Sequence, residues 1–245
     1  MVARPTQSRL ASPNQTDVNT RLFILWTLFV VFCQCAGWGL SALHSLNATG
    51  YTIAFTIFFA AIAIWWRKNP TASPSFTTTT LKRRFKRPFP LAFLILTSLA
   101  ILGGALYPPN NFDALAYRTP RVLSWLAEAG WHWIHTDYGT LNCRTAGFEW
   151  VTAPLFAFTK TDRFEFLLNA LCYLFLPGRV FAALTRFGAR PRVAYFWMWI
   201  FPAGYGFVLQ AGSIGNDMFC ALWPIAAFEF ALRARETNRV QWLWL

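Results

Sequence analysis

Phe89-Pro-Leu-Ala-Phe-Leu-Ile-Leu-Thr-Ser-Leu-Ala-Ile-Leu-Gly-Gly-Ala-Leu-Tyr107 contains no charged residue. At about 1.5 Å per residue, a helix of this length measures roughly 28 Å, which matches the hydrocarbon thickness of a bilayer. The flanks sharpen the reading. Lys82-Arg-Arg-Phe-Lys-Arg87 precedes the run, and Pro108-Pro-Asn-Asn-Phe-Asp113 follows it. Cationic clusters mark the cytoplasmic ends of membrane spans, so this run reads as a span rising from the cytoplasm to an outer surface that carries a carboxylate.

The same pattern extends in both directions. Apolar runs at about 22–43 and 51–66 form a hairpin before the basic linker 67–88, whose segment 71–80 is rich in Ser, Thr and Pro. After residue 107 comes a long region, 108–163, whose apolar pieces, such as Phe148 to Phe158, are too short or too interrupted to cross. Further runs follow at about 164–184, 193–209 and 218–232, and Gln241-Trp-Leu-Trp-Leu245 reads as the first turn of a seventh span or a short interfacial anchor. The predicted fold is all-α: a polytopic transmembrane bundle of about six to seven spans with interfacial helices in a large outer loop. The expected organisation is a cytoplasmic tail over 1–21, a transmembrane hairpin over 22–66, the linker, and a membrane domain over 89–245 that is incomplete at its C-terminal side. Pro177-Gly178 is expected to kink its span.

Composition agrees. Hydrophobic residues make up 56% of the chain and charged residues only 13%, with a mean hydropathy of +0.35. The net charge of +12 does not mark a nucleic-acid binder, because the basic residues flank spans instead of lining one soluble face. With the N-terminus in the cytoplasm, only Arg118, Arg121, Arg144, Lys160 and Arg163 of the 22 Lys and Arg fall outside, with Arg179 inside a span. Most carboxylates fall on the outer side: Asp113, Glu128, Asp137, Glu149, Asp162, Glu165 and Asp217. The chain is therefore expected to be a multi-pass protein of a bacterial inner membrane, with its working face outside. The five Cys have no zinc-ligand or redox spacing and read as packing residues, with Cys143 alone exposed.

Three outer segments can carry chemistry. In Asp113-Ala-Leu-Ala-Tyr117-Arg118-Thr-Pro-Arg121, Thr119-Pro120 suits the start of a short helix. Val122, Leu123, Trp125 and Leu126 would give that helix a side to lie on the membrane. A carboxylate with two guanidiniums at a lipid surface suits a lipid phosphate: Arg forks bind phosphate oxygens, and the carboxylate accepts a proton. The competing reading is an interfacial helix on which Asp113 is only a cap. In Gly212-Ser-Ile-Gly-Asn216-Asp217, an acidic residue opens a span, as a functional group or as a cap. His132-x-x-His135-x-Asp137 has the composition of a metal site and equally that of an interfacial aromatic belt. Tyr117, Glu149 and Asn216 are candidate cavity-lining residues. Glu229 is expected to reach the cytoplasmic surface or to pair with Arg233 one turn on. No nucleotide-binding or Ser-His-Asp signature occurs.

Pro108-Pro-Asn-Asn-Phe-Asp113-Ala-Leu-Ala-Tyr117-Arg118-x-x-Arg121 resembles the first outer-loop motif of the GT-C membrane glycosyltransferases, in particular the bacterial dolichyl-phosphate-mannose protein mannosyltransferase-like group. Phe148-Glu149-Trp150 with Thr161-Asp162-Arg163, Arg186-Phe-Gly-Ala-Arg190, and Gln210-Ala-Gly-Ser-Ile-Gly-Asn216-Asp217 resemble later motifs in the same order. The resemblance implies transfer of a sugar, such as mannose, from a polyprenyl-phosphate donor to a glycan, lipid or protein acceptor on the outer face. It also implies Asp113 and Asp217 as the acidic pair, and it leaves a divalent metal open. Arg118 stands where the family pattern has His, and family members run well beyond seven spans. Two other readings stand beside it: a transporter or lipid-carrier flippase, and a truncated non-catalytic remnant.

Overall fold

The computed structural model describes residues 18–68, 83 and 85–244, apart from the Trp66 side chain. Most of the expected N-terminal tail, the Ser/Thr/Pro segment and part of the basic cluster lie outside the described residues. The described chain is helical, in the order α1 (Val18–Ala42), α2 (Ala48–Lys68), α3 (Pro88–Leu106), a π-helical turn (Ala114–Arg118), α4 (Thr119–Ala127), α5 (Thr140–Cys143), α6 (Glu149–Thr159), α7 (Phe166–Phe187), α8 (Pro191–Ile200), α9 (Tyr205–Ala211), α10 (Asp217–Thr237) and a 3₁₀ turn (Val240–Trp244).

Four of these helices, α1, α2, α3 and α7, are long and apolar enough to cross a membrane. Their ends follow local chemistry. Pro88 opens α3, where its missing N–H costs nothing. Asn47 Oδ1 accepts the Gly50 N–H at the start of α2, so this sequon asparagine acts as a cap. Arg67 and Lys68 close α2 against the negative end of its dipole. Gly188, at φ 105°, ends α7 in the left-handed region that a side chain disfavours.

The runs expected as further spans are built differently. The stretch at 193–209 is interrupted between α8 and α9 over Phe201–Gly204, where Pro202 lacks an N–H. The Pro202 carbonyl freed by the break accepts a hydrogen bond from the Tyr173 hydroxyl at 3.0 Å. Helix α10 is continuous, but its last turns carry Glu229, Arg233, Arg235 and Glu236. The 3₁₀ turn folds back on α10, with Trp242 stacked on Phe230 at 6.0 Å. The apolar piece 148–158 is α6, buried almost throughout at Trp150, Val151, Ala153 and Phe156. It does not stand alone: Trp150 packs over Gly37 of α1 and stacks on Trp125 of α4 at 4.9 Å. Val122 and Trp125 accordingly face this protein core, and of the four residues expected to face lipid, Leu123 is the one that is exposed.

The bundle has two chemically distinct ends. At the loop end, the α1–α2 turn meets the segment after α4 through Leu46 N–H to Ala129 O at 3.0 Å and Trp131 N–H to Ser41 Oγ at 2.6 Å. α3 finishes at the same end, where Gly104 lies against Phe166 and the Gly212 carbonyl. Between the ends, α7 and α10 form the most extensive helix pair, and Phe23, Trp26, Phe93, Tyr173, Leu176 and Leu222 fill the core. Pro177-Gly178, expected as a kink, lies within a single helix, α7, and serves as a crossing point. A Cβ on Gly178 would come within 2.5 Å of the Asn19 side chain. Cys33 and Cys172 are buried, whereas Cys35 and Cys220 are exposed along with Cys143.

The opposite end is closed by a buried ionic network. Glu229 is fully buried and holds three arginines. Arg179 reaches Oε2 at 2.8 Å, while Arg186 and Arg233 reach Oε1 at 3.0 and 2.9 Å. Arg179 also donates to Asn19 and to Thr20 of α1, and Arg233 donates to Thr20. Arg186 extends the network to Glu236. The i+4 pair with Arg233 is present, but Glu229 lies in the interior and not at a surface.

Candidate active site

The site is assembled at the loop end from two loops that the packing of α3 against α7 brings together. Asn111 Oδ1 accepts the Ala114 N–H at 3.0 Å and so caps the π-helical turn. Asp113, one residue before that turn, makes no capping bond. It is exposed and has no ion pair or hydrogen bond to its side chain among the described residues. The cap reading of Asp113 is therefore replaced by Asn111. Thr119 is not a cap either: its buried hydroxyl lies near the Glu165 carboxyl.

The second loop is pinned by one side chain. Asn169 of α7 donates to the carbonyls of Ser213, at 2.7 Å, and Gly215, and its Oδ1 accepts the Phe219 N–H at 3.0 Å. It caps the first turn of α10 from a neighbouring helix. Asp217 stands in that first turn, exposed and with no capping bond. Asn216 donates to Cys220 Sγ at 3.2 Å. Replacing Asn169 with Leu leaves two carbonyls and one N–H unsatisfied, at about 1–3 kcal/mol for each group that stays buried. The expected result is a lower unfolding temperature, with increased hydrogen exchange confined to residues 213–219.

The two loops touch. A Cβ on Gly215 would sit 2.8 Å from Asn111 Nδ2, so a larger residue here would push against the Asn111 amide of the first loop. Beneath the contact, Ala114, Ile214 and Phe166 form a small buried cluster. Asp113 and Asp217 thus flank one seam.

The two arginines behind the seam have different fates. Arg121 is 2% exposed, and its guanidinium is taken up by Glu149 and by the carbonyls of Arg144 at 2.7 Å and Thr145 at 3.0 Å. It cannot turn to a phosphate, so half of the expected clamp is a positioning residue. Arg118 stays partly open, with a side chain 13% exposed; it reaches Glu149 at 3.2 Å and donates to the Tyr117 hydroxyl at 3.1 Å. Both reach the same Glu149 oxygen, and the difference is that the carbonyls of the 144–145 loop close over Arg121 alone. Tyr117 is buried beneath the Arg118 guanidinium, 5.0 Å from its ring centroid. Glu149 is fully buried, so it supports the site and does not line it. Cys220 lies within electrostatic reach of Arg118, Glu149 and Asp217, which ties the two motifs and the ion pair to one locality.

Glu165, just before α7, was counted only among the outer carboxylates. It is buried, and burial, followed by the neighbouring charges of Asp162 and Glu149, pushes its carboxyl up to about 8. The nearby hydroxyls of Thr152 and Thr119 pull it back only in part. A native state that keeps this proton while the unfolded chain releases it loses stability as pH rises from about 4.5 to about 8. Glu165→Gln is expected to flatten that slope and to raise stability at pH 8, as read from unfolding temperatures across this range. A carboxylate opening an apolar run was the signal that could have singled it out.

The His132 motif is structural. Its ring contacts Ser124 Oγ and the Gly130 carbonyl, each at 3.1 Å. Among the described residues, no group of three or more His, Cys, Asp or Glu is placed to hold a metal ion. No protein-family model matches the chain, and neither does any curated protein or solved structure.

Proposed function

We propose that this chain is a GT-C-type membrane glycosyltransferase, or the part of one that builds its outer site. It would act at the extracytoplasmic face of a bacterial plasma membrane on a polyprenyl-phosphate sugar. The observation that carries this reading is the seam between the Asp113 and Asp217 loops. Two exposed carboxylates without partners among the described residues flank it, and one partly open guanidinium, Arg118, lies behind it. Protein-free carboxylates beside a cation, at the end of apolar helices, suit a reaction that separates a proton from a lipid phosphate.

The step we infer is a single displacement. An acceptor hydroxyl oxygen bonds to the anomeric carbon as the bond from that carbon to the phosphate oxygen breaks. The electron pair leaves with the polyprenyl phosphate, and Arg118 stabilises the charge that develops there. Asp113 takes the hydroxyl proton. Asp217 orients the acceptor or the sugar from across the seam. Arg121 and Glu149 hold Arg118 in place, and α8 to α10 with the 3₁₀ turn would bring the spans towards the six or seven expected.

The test is transfer of radiolabelled sugar from a polyprenyl-phosphate donor by the chain in proteoliposomes. Product formation supports the proposal; labelled sugar crossing the bilayer without any new glycoside sinks it in favour of transport. The transport reading has one feature of its own, the interruption between α8 and α9, since broken helices line transport paths. The Tyr173 bond to Pro202 satisfies that break internally. Sidedness has a separate check. With Cys143 as the sole cysteine, an impermeant maleimide added to intact cells is expected to label it; labelling only after permeabilisation puts the seam on the cytoplasmic side and ends the proposal.

A further inference from the structure

The opposite end of the bundle holds a second site. A cavity of about 350 Å³ lies between the start of α3, the C-terminal half of α7 and α8. Arg83 and Arg87 stand at its cationic side, and Pro90, Phe181, Tyr195 and Trp199 supply an apolar and aromatic wall. Volumes from about 300 Å³ upward are typical of small-ligand sites.

Three observations indicate what the cavity takes. First, its two cations are available. Arg83 and Arg87 are exposed, and neither guanidinium has a carboxylate partner among the described residues. The Arg87 guanidinium rests 5.8 Å from the Tyr195 ring centroid. The acidic residues of α10 at this end, Glu229 and Glu236, are both held by arginines of the buried network. Second, the indole N–H of Trp199 is buried and has no acceptor among the described residues. A ligand oxygen would give this buried donor the partner it lacks. Third, α3 begins here without a side-chain cap, and its positive dipole end adds to an anion-attracting field, with Phe89 supplying the one free N–H between Pro88 and Pro90.

We propose that this cavity binds one phosphate ester of an anionic amphiphile. The phosphate oxygens would be gripped by Arg83 and Arg87, one oxygen would meet the Trp199 N–H, and the apolar part would lie against Phe181 and Pro90. The site is separate from the seam at the loop end and does not depend on the chemistry proposed there. A polybasic segment alone would attract any anionic surface without saturating at one equivalent. A concave aromatic wall with a buried donor gives instead a single, saturable site.

The experiment is calorimetric titration of the detergent-solubilised full chain with three probes: dihexanoyl phosphatidic acid, dihexanoyl phosphatidylcholine and inorganic phosphate. We expect saturable binding of one phosphatidic acid per chain, and weaker binding of the other two. The double variant Arg83→Gln/Arg87→Gln should bind about tenfold more weakly or worse, as for loss of charge-assisted hydrogen bonds. Trp199→Phe, which keeps the wall and removes only the donor, should weaken binding by a smaller factor. Both arginines are exposed, so the double variant should unfold at the wild-type temperature, and an Arg87→Lys chain provides a charge-retaining control that keeps part of the affinity. Unchanged affinity in the double variant overturns the site. Equal affinity for phosphatidylcholine overturns the anionic assignment, and equal affinity for inorganic phosphate overturns the amphiphile in favour of a free phosphate ion.

Discussion

Asp113→Asn is expected to reduce sugar transfer by about a hundred- to ten-thousand-fold, the range over which a positioned general base acts. The substitution keeps the size of the side chain and its ability to hydrogen-bond, and removes only the basic oxygen. Asp113 is exposed and contributes no cap, so unfolding temperature should not change. That combination separates chemistry from folding: lost turnover in an intact protein. An Asp113→Asn chain that turns over at the wild-type rate removes Asp113 from the mechanism. The companion variant Arg121→Gln should fail in a different way. Its guanidinium lies inside the fold against Glu149 and two carbonyls, so lost activity there should come with lost stability.

Glu229→Ala should be the most destabilising single change in the chain, at about 3–5 kcal/mol, because it leaves buried cations without their counter-charge. The three arginines approach one carboxylate that is fully buried. Removing it leaves Arg179, 1% exposed and packed against Phe23 and Phe230, without the Glu229 carboxylate. Glu229→Gln keeps the shape and two polar atoms and should be milder. Thermal unfolding in detergent orders the variants: wild type, then Gln, then Ala. A Glu229→Ala chain as stable as wild type would mean that water or detergent reaches Arg179, contrary to the burial described.

The spans that were plain in the sequence are those with abrupt chemical borders. α3 lies between a polybasic segment and a Pro-Pro pair, and its limits fall within about one residue of the apolar run. The interruption within the stretch at 193–209 was not legible because averaged hydropathy is insensitive to backbone donors. Pro202 and Gly204 change the hydrogen bonding of the chain while leaving its oiliness almost unaltered. In the site, the two acidic loops could be read because each follows or precedes an apolar run closely. Which arginine stays open could not, since Arg118 and Arg121 are the same residue type three positions apart and the carbonyls that seal Arg121 come from more than 20 residues along the chain. The network at the opposite end was visible only as separate anomalies. Arg179 and Glu229 each stood inside an apolar run, and nothing local told that they pair across 50 residues.

The tie between Thr20 and Arg233 spans 213 positions. Ribosomes deliver helices to the bilayer in order, so α1 and α7 enter it before α10 exists. During that interval Arg179 lacks its carboxylate and must shelter at a headgroup or within the translocon. Joining of α1 and α7 is therefore gated by α10, and ribosome stalling before residue 229 should hold the nascent chain in a loosely associated, protease-sensitive intermediate.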